Sequence, residues 1–346
     1  MKKKKFIVLL MVDFFIALLS VGAFLLYFYV LPRRENSAGI NIIGEESADS
    51  QTFDLPETQE STGSGKSRPS RKNGDRSAAG NGNTNTKEIA SDKNELALSG
   101  KTDTVLEEYK DSSLQLTIIK SELGEGDDKI TYYTADVYVS AIGQLQTAFA
   151  EGVFGKNLRE STLEMAEDNQ ALLAVSGDSY GNNETGIVVR NGVLYRSDTN
   201  DGEICVLFQD GVMKTYTPEE FEQEQVLESE VWQAWNFGPS LLDNGSVKTT
   251  FQTTSYLNNS NPRCAIGYIS PGHYKLVLVD GRNPGYSKGA TMSELAGIMA
   301  AEGCTLAYNL DGGKSSAMVY QGNYVNQPAD GGRSISDIIY IRKEES

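Results

Sequence analysis

The sequence predicts an α+β domain of mostly antiparallel or mixed sheet with a few helices, preceded by one transmembrane helix and a disordered linker. In the C-terminal part of the chain, β-like segments outnumber helical ones, and several are joined by short hairpin signals. The N-terminal part instead holds one long apolar run followed by a stretch rich in Ser, Gly and Asn. These observations divide the chain into an anchor at 1–34, a linker at 35–104 and a folded domain at 105–346.

The apolar run predicts a membrane anchor. Lys2 to Lys5 precede an almost uninterrupted apolar segment from Phe6 to Leu31, which at about 1.5 Å per residue can cross a hydrocarbon core of roughly 30 Å. An aromatic belt and Arg33-Arg34 end it, which favours an uncleaved anchor over a removed signal peptide. We therefore expect a single-pass plasma-membrane protein with a cytoplasmic N-terminus and an extracellular domain. Asp13 is expected near the cytoplasmic end, within reach of headgroups.

The polar stretch from Glu35 to about Gly100 has few large apolar residues and no sustained period, so it is predicted to be a disordered tether. As a flexible coil it would reach about 45 Å and hold the domain within cell-envelope polymers. Its basic residues are interpreted as a solvated charge run rather than a polyanion site: Lys66, Arg68, Arg71, Lys72 and Arg76.

Alternating apolar patterns and turn residues place the elements of the domain. Strands are predicted at 114–120, 131–140, 171–175, 186–196, 203–217, 265–270, 274–279, 305–310, 316–325 and 335–342. Asn191-Gly192 and Asp210-Gly211 are typical of short antiparallel hairpins. Helices are predicted at 161–168, 218–228 and 291–302, with Ser161, Thr217 and Thr291 in the capping positions.

Composition excludes several classes of function. The chain carries 47 acidic against 31 basic residues, so we expect no nucleic-acid partner, and any anionic substrate must be held by local arginines. Three cysteines are too few for a disulfide scaffold. We predict buried free thiols, with a bridge between Cys264 and Cys304 as the alternative.

A glycine-rich corner near the C-terminus is the strongest candidate site. The apolar run 306–310 stops at Asp311, and Gly312 and Gly313 then allow unusual backbone angles and close approach of a ligand. Ser315 and Ser316 add hydroxyl groups beside these amides. The alternative is an ordinary hairpin corner.

Three other strand ends carry a charged group: Asp178, Arg263 and Asp280. Strand ends can converge on one cleft, whereas Asp beside Gly is also common in turns. A turn role explains Asp280 as well as a catalytic role does, because Gly281 follows it.

Other chemistries fit the residues poorly. The single histidine, His273, lies in a turn, so neither a multi-histidine zinc site nor a Ser-His-Asp triad is expected. Lys314-Ser315 lacks the earlier glycine of a phosphate-binding loop, which argues against a nucleotide ligand. Trp232, Trp235 and Tyr180 are interpreted as core residues, with sugar stacking as the alternative.

Several motifs follow one another in a fixed order: Ser176-Gly-Asp178, Arg263-Cys-Ala-Ile-Gly267, Val279-Asp-Gly-Arg282, the helix-like 291–300, Gly303-Cys304, Asn309-Leu-Asp-Gly-Gly313 and Gly332-Arg-Ser-Ile-Ser336. In order and spacing they resemble the phosphodiester glycosidase family over roughly residues 105–343. The chain departs from the family pattern at Ser176, where the family usually has asparagine, and at Lys314, where it usually has glycine.

This resemblance implies hydrolysis of a glycosyl 1-phosphodiester in a cell-surface glycopolymer or exopolysaccharide. It implies Asp178 and Asp311 as an acid-base or nucleophilic pair, with Asp280 as a third candidate. Phosphate would be held by Arg263 and Arg333, which can bind it bidentately. The residues that would orient sugar or phosphate are Gly312, Gly313, Lys314, Ser315 and Ser316. Less proton donation is needed than for an ether-type glycoside, because phosphate is already a good leaving group.

The resemblance implies no organic cofactor, and two alternatives stay open. One is a non-catalytic polysaccharide-binding module on the same fold, consistent with the departures at Ser176 and Lys314. The other is a metal-dependent phosphodiesterase that uses the same aspartates as ligands of a divalent cation.

Overall fold

The computed structural model describes residues 2–35, 39–43, 52–56, 100–253 and 255–343. Most of the predicted linker, including residues 57–99, lies outside these described residues. Within them the α+β prediction is confirmed, because antiparallel sheets dominate and helices are few.

The elements are numbered in chain order. The helices are α1 Lys2–Tyr29, α2 Thr162–Asp168, α3 Gln223–Leu227, α4 Ser255–Asn258 and α5 Met292–Ala301. The strands are β1 Arg33–Arg34, β2 Ile40–Asn41, β3 Thr102–Lys110, β4 Leu114–Leu123, β5 Ile130–Val139, β6 Leu145–Phe149, β7 Gly155–Lys156, β8 Leu173–Ser176, β9 Val188–Arg190, β10 Val193–Arg196, β11 Ile204–Phe208, β12 Met213–Tyr216, β13 Val231–Trp235, β14 Leu242–Asp243, β15 Ser246–Val247, β16 Arg263–Ser270, β17 His273–Val279, β18 Leu306–Leu310, β19 Met318–Tyr320, β20 Asn323–Tyr324 and β21 Asp337–Ile341.

Three large sheets form the domain. Their strand orders are β18-β16-β17-β5-β4-β3, β20-β19-β8-β21-β6 and β12-β11-β13-β9-β10-β2. Every strand pair recorded among the described residues is antiparallel, including β16 with both β17 and β18. The alternating burial along β4 is typical of a strand with one face on a core.

The largest apolar cluster lies between the sheets. It joins Leu116 of β4, Val175 of β8, Trp235 of β13 and Ile339 of β21. Burying such side chains contributes about 25 cal/mol per Å² of apolar surface, so this contact holds the sheets in a fixed arrangement.

Helices cover the outer faces of two sheets. In α5, Leu295 and Met299 pack against Val277 of β17, while in α2 Met165 packs near Ala174 of β8. Both helices begin as predicted: Thr291 accepts a hydrogen bond from the Glu294 amide. Ser161 and Glu164 form the same capping box.

The helix predicted at 218–228 is shorter than expected. Thr217 and Glu220 do exchange capping hydrogen bonds, but the helix is confined to α3, Gln223–Leu227. Phe221 and Val226 both pack into one apolar cluster. Because residues five apart lie on different faces of a helix, a continuous helix would not bury both there.

The predicted core and cysteine interpretations are confirmed. Trp232, Trp235 and Tyr180 are buried, and Cys205, Cys264 and Cys304 are buried free thiols.

The N-terminal helix contains, at Met11–Tyr29, a stretch long and apolar enough to cross a membrane. A transmembrane anchor and a signal sequence both satisfy that description. Beyond it, residues 33–35, 39–43 and 52–56 contact the domain, so the end of the predicted anchor and these parts of the predicted linker are ordered against it.

Candidate active site

The site forms where two sheets meet at the glycine-rich corner. Asp311 directly follows β18, and its amide donates a 3.0 Å hydrogen bond to the carbonyl of Gly177, which directly follows β8. The Gly313 amide donates to the Pro262 carbonyl at 2.9 Å. The corner is therefore fixed to β8 on one side and to the start of β16 on the other.

Asp311 is surrounded by hydrogen-bond donors. Its Oδ2 accepts from the Ser315 hydroxyl at 2.7 Å and from Arg333 at 3.1 Å, with the Ser179 hydroxyl at 3.4 Å. The residue is 7% exposed. Burial raises the pKa of Asp311 above its usual value, although Arg333 and the two serines oppose that shift.

Arg333 and Ser315 complete a triangle with this carboxylate. Arg333 Nε donates to the Ser315 hydroxyl at 2.7 Å, and the Arg333 side chain is 44% exposed. Ser315 therefore accepts from arginine and donates to Asp311. This arrangement fixes one carboxylate oxygen while keeping the guanidinium in contact with solvent.

A cleft of about 330 Å³ opens beside the triangle. Its lining residues include three arginines, one lysine and one carboxylate among the described residues: Phe237, Leu257, Asn261, Arg263, Arg282, Asn309, Leu310, Asp311, Gly312, Gly313, Lys314 and Arg333. The cleft is thus locally cationic in a chain of net charge −16. Such a surface favours an anionic ligand.

The two glycines shape this surface in different ways. A Cβ at Gly312 would lie 2.8 Å from the Pro262 carbonyl oxygen, so only glycine fits there. Gly313 has φ of +66°, and a Cβ there would lie 3.2 Å from a nitrogen of Arg282. Close packing of backbone and guanidinium is therefore the reason for this diglycine.

Arg263 lines the cleft but is largely engaged with backbone. Its Nε donates to the Ala290 carbonyl at 2.8 Å, and one terminal nitrogen donates to the carbonyls of Leu257 and Asn259. Burial, reinforced by the nearby Arg282, lowers the pKa of Arg263 to about 10. Arg263 therefore holds the 257–259 backbone in place against the cleft.

Arg282 ends the Val279-Asp-Gly-Arg282 motif but was not predicted as a site residue. It has φ of +58°, and its terminal nitrogen donates to Asn261 Oδ1 at 2.9 Å. It faces Gly313 across the cleft lining. Its position just after the end of β17, like that of the other charged residues at strand ends, could have indicated that it lies at the site.

Asp178 lies in a buried ion cluster rather than among the cleft-lining residues. Its Oδ1 lies 3.0 Å from Arg190 and accepts from the Tyr180 amide, while its Oδ2 accepts from the Asn236 amide. Arg190 also lies 2.8 Å from Asp337. Burial lowers the pKa of Arg190, but the two carboxylates outweigh it and raise that pKa overall.

Asp178 is linked to the site through the chain. The next residue, Ser179, reaches Asp311 with its hydroxyl, and Gly177 binds the Asp311 amide. The buried cluster therefore supports the backbone on which Asp311 rests.

Asp280 is also outside the cleft lining. Its carboxylate accepts from Asn326 at 2.8 Å, from the Gln327 amide at 3.1 Å and from the Tyr286 hydroxyl at 2.9 Å. Burial raises its pKa, against the effect of these donors. Asn326 also donates to the Ser316 carbonyl, so Asp280 supports the far side of the glycine-rich corner.

The remaining predicted residues take different positions. Lys314 lies at the cleft and pairs with Asp330 at 2.7 Å on the surface. Ser316 is buried, and its hydroxyl has no partner among the described residues. Ser176, one departure from the family pattern, donates to the Asp311 carbonyl at 3.3 Å.

The single histidine lies away from the cleft lining. His273 contacts Asp136 at 2.7 Å and stacks on Tyr138, on strands β17 and β5. In the part of the chain that the structure describes, no group of three or more His, Cys, Asp or Glu side chains is arranged to hold a metal ion.

Comparison with known proteins agrees with this fold. The phosphodiester glycosidase family model matches residues 169–342, just over half of the chain. The SPbeta prophage-derived protein YomE of Bacillus subtilis (strain 168) is 33% identical over 196 residues, 54% of this chain and 30% of that protein. The match thus spans less than a third of the relative's length.

A solved structure shares the fold. The zebrafish N-acetylglucosamine-1-phosphodiester alpha-N-acetylglucosaminidase catalytic domain, auto-inhibited by its pro-peptide, aligns with a TM-score of 0.54 and 18% identity. The alignment covers 70% of this chain and 88% of that one. At this identity the likeness shows the fold alone.

Proposed function

Because the chain belongs to the phosphodiester glycosidase family, we propose that it hydrolyses a glycosyl 1-phosphodiester at the cleft beside Asp311. Water would replace phosphate at the anomeric carbon, so the sugar carbon–oxygen bond breaks and the phosphate leaves with its oxygen. One observation carries the proposal: Asp311, which accepts hydrogen bonds from Ser315 and Arg333, lines a cleft that is rich in arginine.

Asp311 acts in its ionised form. Arg333, Ser315 and Ser179 all direct donors at it, and an ionised carboxylate is the form that accepts from every side. A carboxylate at the anomeric carbon can serve as nucleophile or as base for water. The exposed side of Arg333 leaves room for substrate next to it.

The phosphate is held by the cationic side of the cleft. Arg282 lies beside Gly313 and Arg333 lies on Asp311, and both line the cleft with planar guanidinium groups, which suit phosphate oxygens. As the sugar–phosphate bond breaks, charge accumulates on phosphate, and fixed cations stabilise it. Arg263 contributes positive charge while positioning residues 257–259.

Part of the cleft lining fits a sugar. Phe237 and the 38% exposed Leu257 supply apolar surface, and Asn309 and Asn261 of the same lining supply amides. A mixed apolar and amide surface is suited to a sugar ring, which has an apolar face and polar edges.

Asp178 and Asp280 stay in the proposal as supporting carboxylates. A catalytic pairing of Asp178 with Asp311 remains a prediction. The contacts of Asp178 to Arg190 and to the Asn236 amide favour a positioning role instead. Asp280 is assigned the same kind of role through Asn326. The proposed hydrolysis requires no organic cofactor.

We further propose that the substrate belongs to a cell-surface glycopolymer or exopolysaccharide. The supporting feature is the N-terminal apolar helix, which would place the domain at the outer face of the plasma membrane if it stays uncleaved.

The test uses the full-length chain in detergent with a synthetic sugar-phosphate-alkyl diester, and it measures free reducing sugar. The proposal predicts turnover that falls at least about a thousandfold in Asp311→Asn, since such losses are typical of an essential charged group. Asp243→Asn, at an exposed hairpin position, is the matched control and should keep full activity. Tight glycan retention without turnover would instead favour a binding module, and unchanged turnover in Asp311→Asn would refute the assigned role.

A further inference from the structure

The chain directly after the N-terminal helix contacts the domain at a first point. β1 pairs antiparallel with β7, so that Arg33 faces Lys156 and Arg34 faces Gly155. The Asn157 side-chain amide donates to the Leu31 carbonyl at 3.1 Å. The domain therefore touches the end of the apolar helix with no spacer between them.

A second point lies a few residues further on. β2 adds to the edge of the sheet beside β10, and the Ile42 amide donates to the Gly192 carbonyl at 3.0 Å. Ile42 and Ile43 pack against two different apolar clusters of the domain. A Cβ at Gly192 would lie 1.9 Å from Ile43, so the glycine of this hairpin turn admits the isoleucine.

Phe53 makes the third point of contact. Its amide donates to the Ser140 carbonyl at 2.7 Å, and its side chain packs against the main core. A Cβ at Gly211 would lie 2.6 Å from the Phe53 ring, and one at Gly272 would lie 2.6 Å from its Cβ. Two hairpin turns of the domain thus leave space for the Phe53 side chain.

These contacts change how the polar segment 57–99 is connected. Residue 56 follows the third contact, and Thr102 begins β3, which pairs with β4 of the domain. Both ends of 57–99 therefore start from the same domain. Because both ends of this segment are attached to the domain, its length does not set the distance between the domain and the N-terminal helix.

We propose that residues 33–35, 39–43 and 52–56, together called the docked leader, are a structural part of the domain and hold it directly at the end of the N-terminal helix. The long polar segment is then an excursion from the domain and not its tether. The reach of about 45 Å expected for a flexible linker does not apply, because the three contacts act before that segment begins. Several contacts on one chain reinforce each other, since each raises the effective concentration of the next. This inference is independent of the proposed function.

The test cuts the excursion and asks whether the parts stay together. A specific protease site is inserted after Gly80 of the full-length chain, which carries an affinity tag before Met1. After cleavage in detergent, the N-terminal fragment is captured and the bound C-terminal fragment is quantified. We expect most of the C-terminal fragment to be retained. Release of nearly all of it from the unsubstituted chain would overturn the proposal.

Matched substitutions locate the retention. Ile43→Ser combined with Phe53→Ser removes two side chains packed on the core and should lower retention at least tenfold. Ile40 belongs to the same leader but is 66% exposed. The Ile40→Ser variant should therefore retain as much of the C-terminal fragment as the unsubstituted chain does. Equal retention in the double variant would contradict the proposal.

A second measurement does not depend on any variant. In the uncut chain the amides of Ile42 and Phe53 should exchange with deuterium far more slowly than in a free peptide, since both donate to domain carbonyls. Exchange at free-peptide rates would refute docking. Cooperative thermal unfolding of the uncut double variant verifies that its loss of retention is not a loss of fold.

Discussion

The amide of Asp311 donates a 3.0 Å hydrogen bond to the carbonyl of Gly177, and this contact joins the end of β18 to the end of β8. Because the two strands belong to different sheets, the candidate catalytic carboxylate depends on how the sheets meet. On the other side of Gly177, its amide donates to the Asp337 carbonyl, also at 3.0 Å. The carboxylate is thus positioned by backbone contacts that extend into the buried ion cluster.

Gly177→Ala should disturb both the fold and the site. A Cβ there would lie 2.5 Å from Asp337 Oδ1 and 3.0 Å from the Asp337 carbonyl oxygen. Overpacking of this kind costs about 1–3 kcal/mol, which denaturant unfolding would measure. Gly297→Ala, in α5 with nothing within 4 Å of the added Cβ, should instead stabilise by about 0.5–1 kcal/mol. Equal effects of the two changes would contradict the packing at Gly177.

Arg333→Met should move the acid limb of the kcat/KM pH profile to higher pH. Burial already raises the pKa of Asp311, and the charge of Arg333 works against that rise. Without the arginine the carboxylate takes up its proton at a higher pH, so an activity that needs the ionised form is lost earlier as pH falls. Arg333→Lys keeps a charge and should shift the limb less. A limb that moves to lower pH would exclude an ionised Asp311 as the acting form.

Arg190→Met should be among the most destabilising single changes. It leaves Asp178 and Asp337 buried without their shared cation, which typically costs about 3–5 kcal/mol. Arg34→Met breaks only a surface pair with Glu151 and should cost less than about 1 kcal/mol. Chemical unfolding of both variants at neutral pH makes the comparison.

The Arg190→Met variant should regain stability in acid. Burial raises the pKa of Asp337 well above its usual value, so the native state binds protons that the unfolded state has released. Stability then falls as pH rises through the folded pKa and recovers below it. Removing the cation enlarges this difference. The free energy of unfolding of this variant is to be compared at about pH 5 and about pH 7. Equal values would contradict the burial of Asp178 and Asp337 as a pair of carboxylates.

Arg282→Met should weaken substrate recognition. A hydrogen bond to a charged group contributes about 1.5–3 kcal/mol, so kcat/KM for a glycosyl phosphodiester should fall about 10- to 150-fold. Lys214→Met changes an exposed cation on β12 and should leave the kinetics unaltered. If both variants keep full kcat/KM, the phosphate does not contact Arg282.

Local patterns predicted much of the fold. The capping boxes at Ser161 and Thr291 depend on residues three apart, and hairpins such as Asn191-Gly192 depend on adjacent ones, so the sequence alone locates them. One strand without an exposed face was missed, although others of that kind, such as β8 and β11, were predicted from their apolar runs. The missed strand is β13, in which every residue of Val231–Trp235 is buried.

The sequence predicted only those parts of the candidate site that lie in local motifs. Asp311 with its two glycines is a local motif, whereas the partners of Asp178 are distant in the chain. Arg190 and Asp337 are separated by 147 residues, and no local pattern connects them. Arg282 lay in a recognised motif, but its orientation toward Gly313 depends on a backbone with positive φ that the motif does not reveal.

The leader shows the limit of compositional reasoning. Ile42, Ile43 and Phe53 are too few to form a core, so a composition rule assigns their segment to a linker. They are ordered because the domain offers sites for them at Gly192, Gly211 and Gly272. A segment with too few apolar residues to form its own core can still pack its apolar side chains into the core of the adjoining domain.

The bond that is cleaved tests the central claim most directly. The full-length chain would hydrolyse a glycosyl phosphodiester in water enriched in oxygen-18, with mass spectrometry of both products after a short reaction. Attack at the anomeric carbon predicts the label in the released sugar and unlabelled phosphate. Label in the phosphate would show cleavage between phosphorus and oxygen, and it would contradict the glycosidase assignment of the Asp311 cleft.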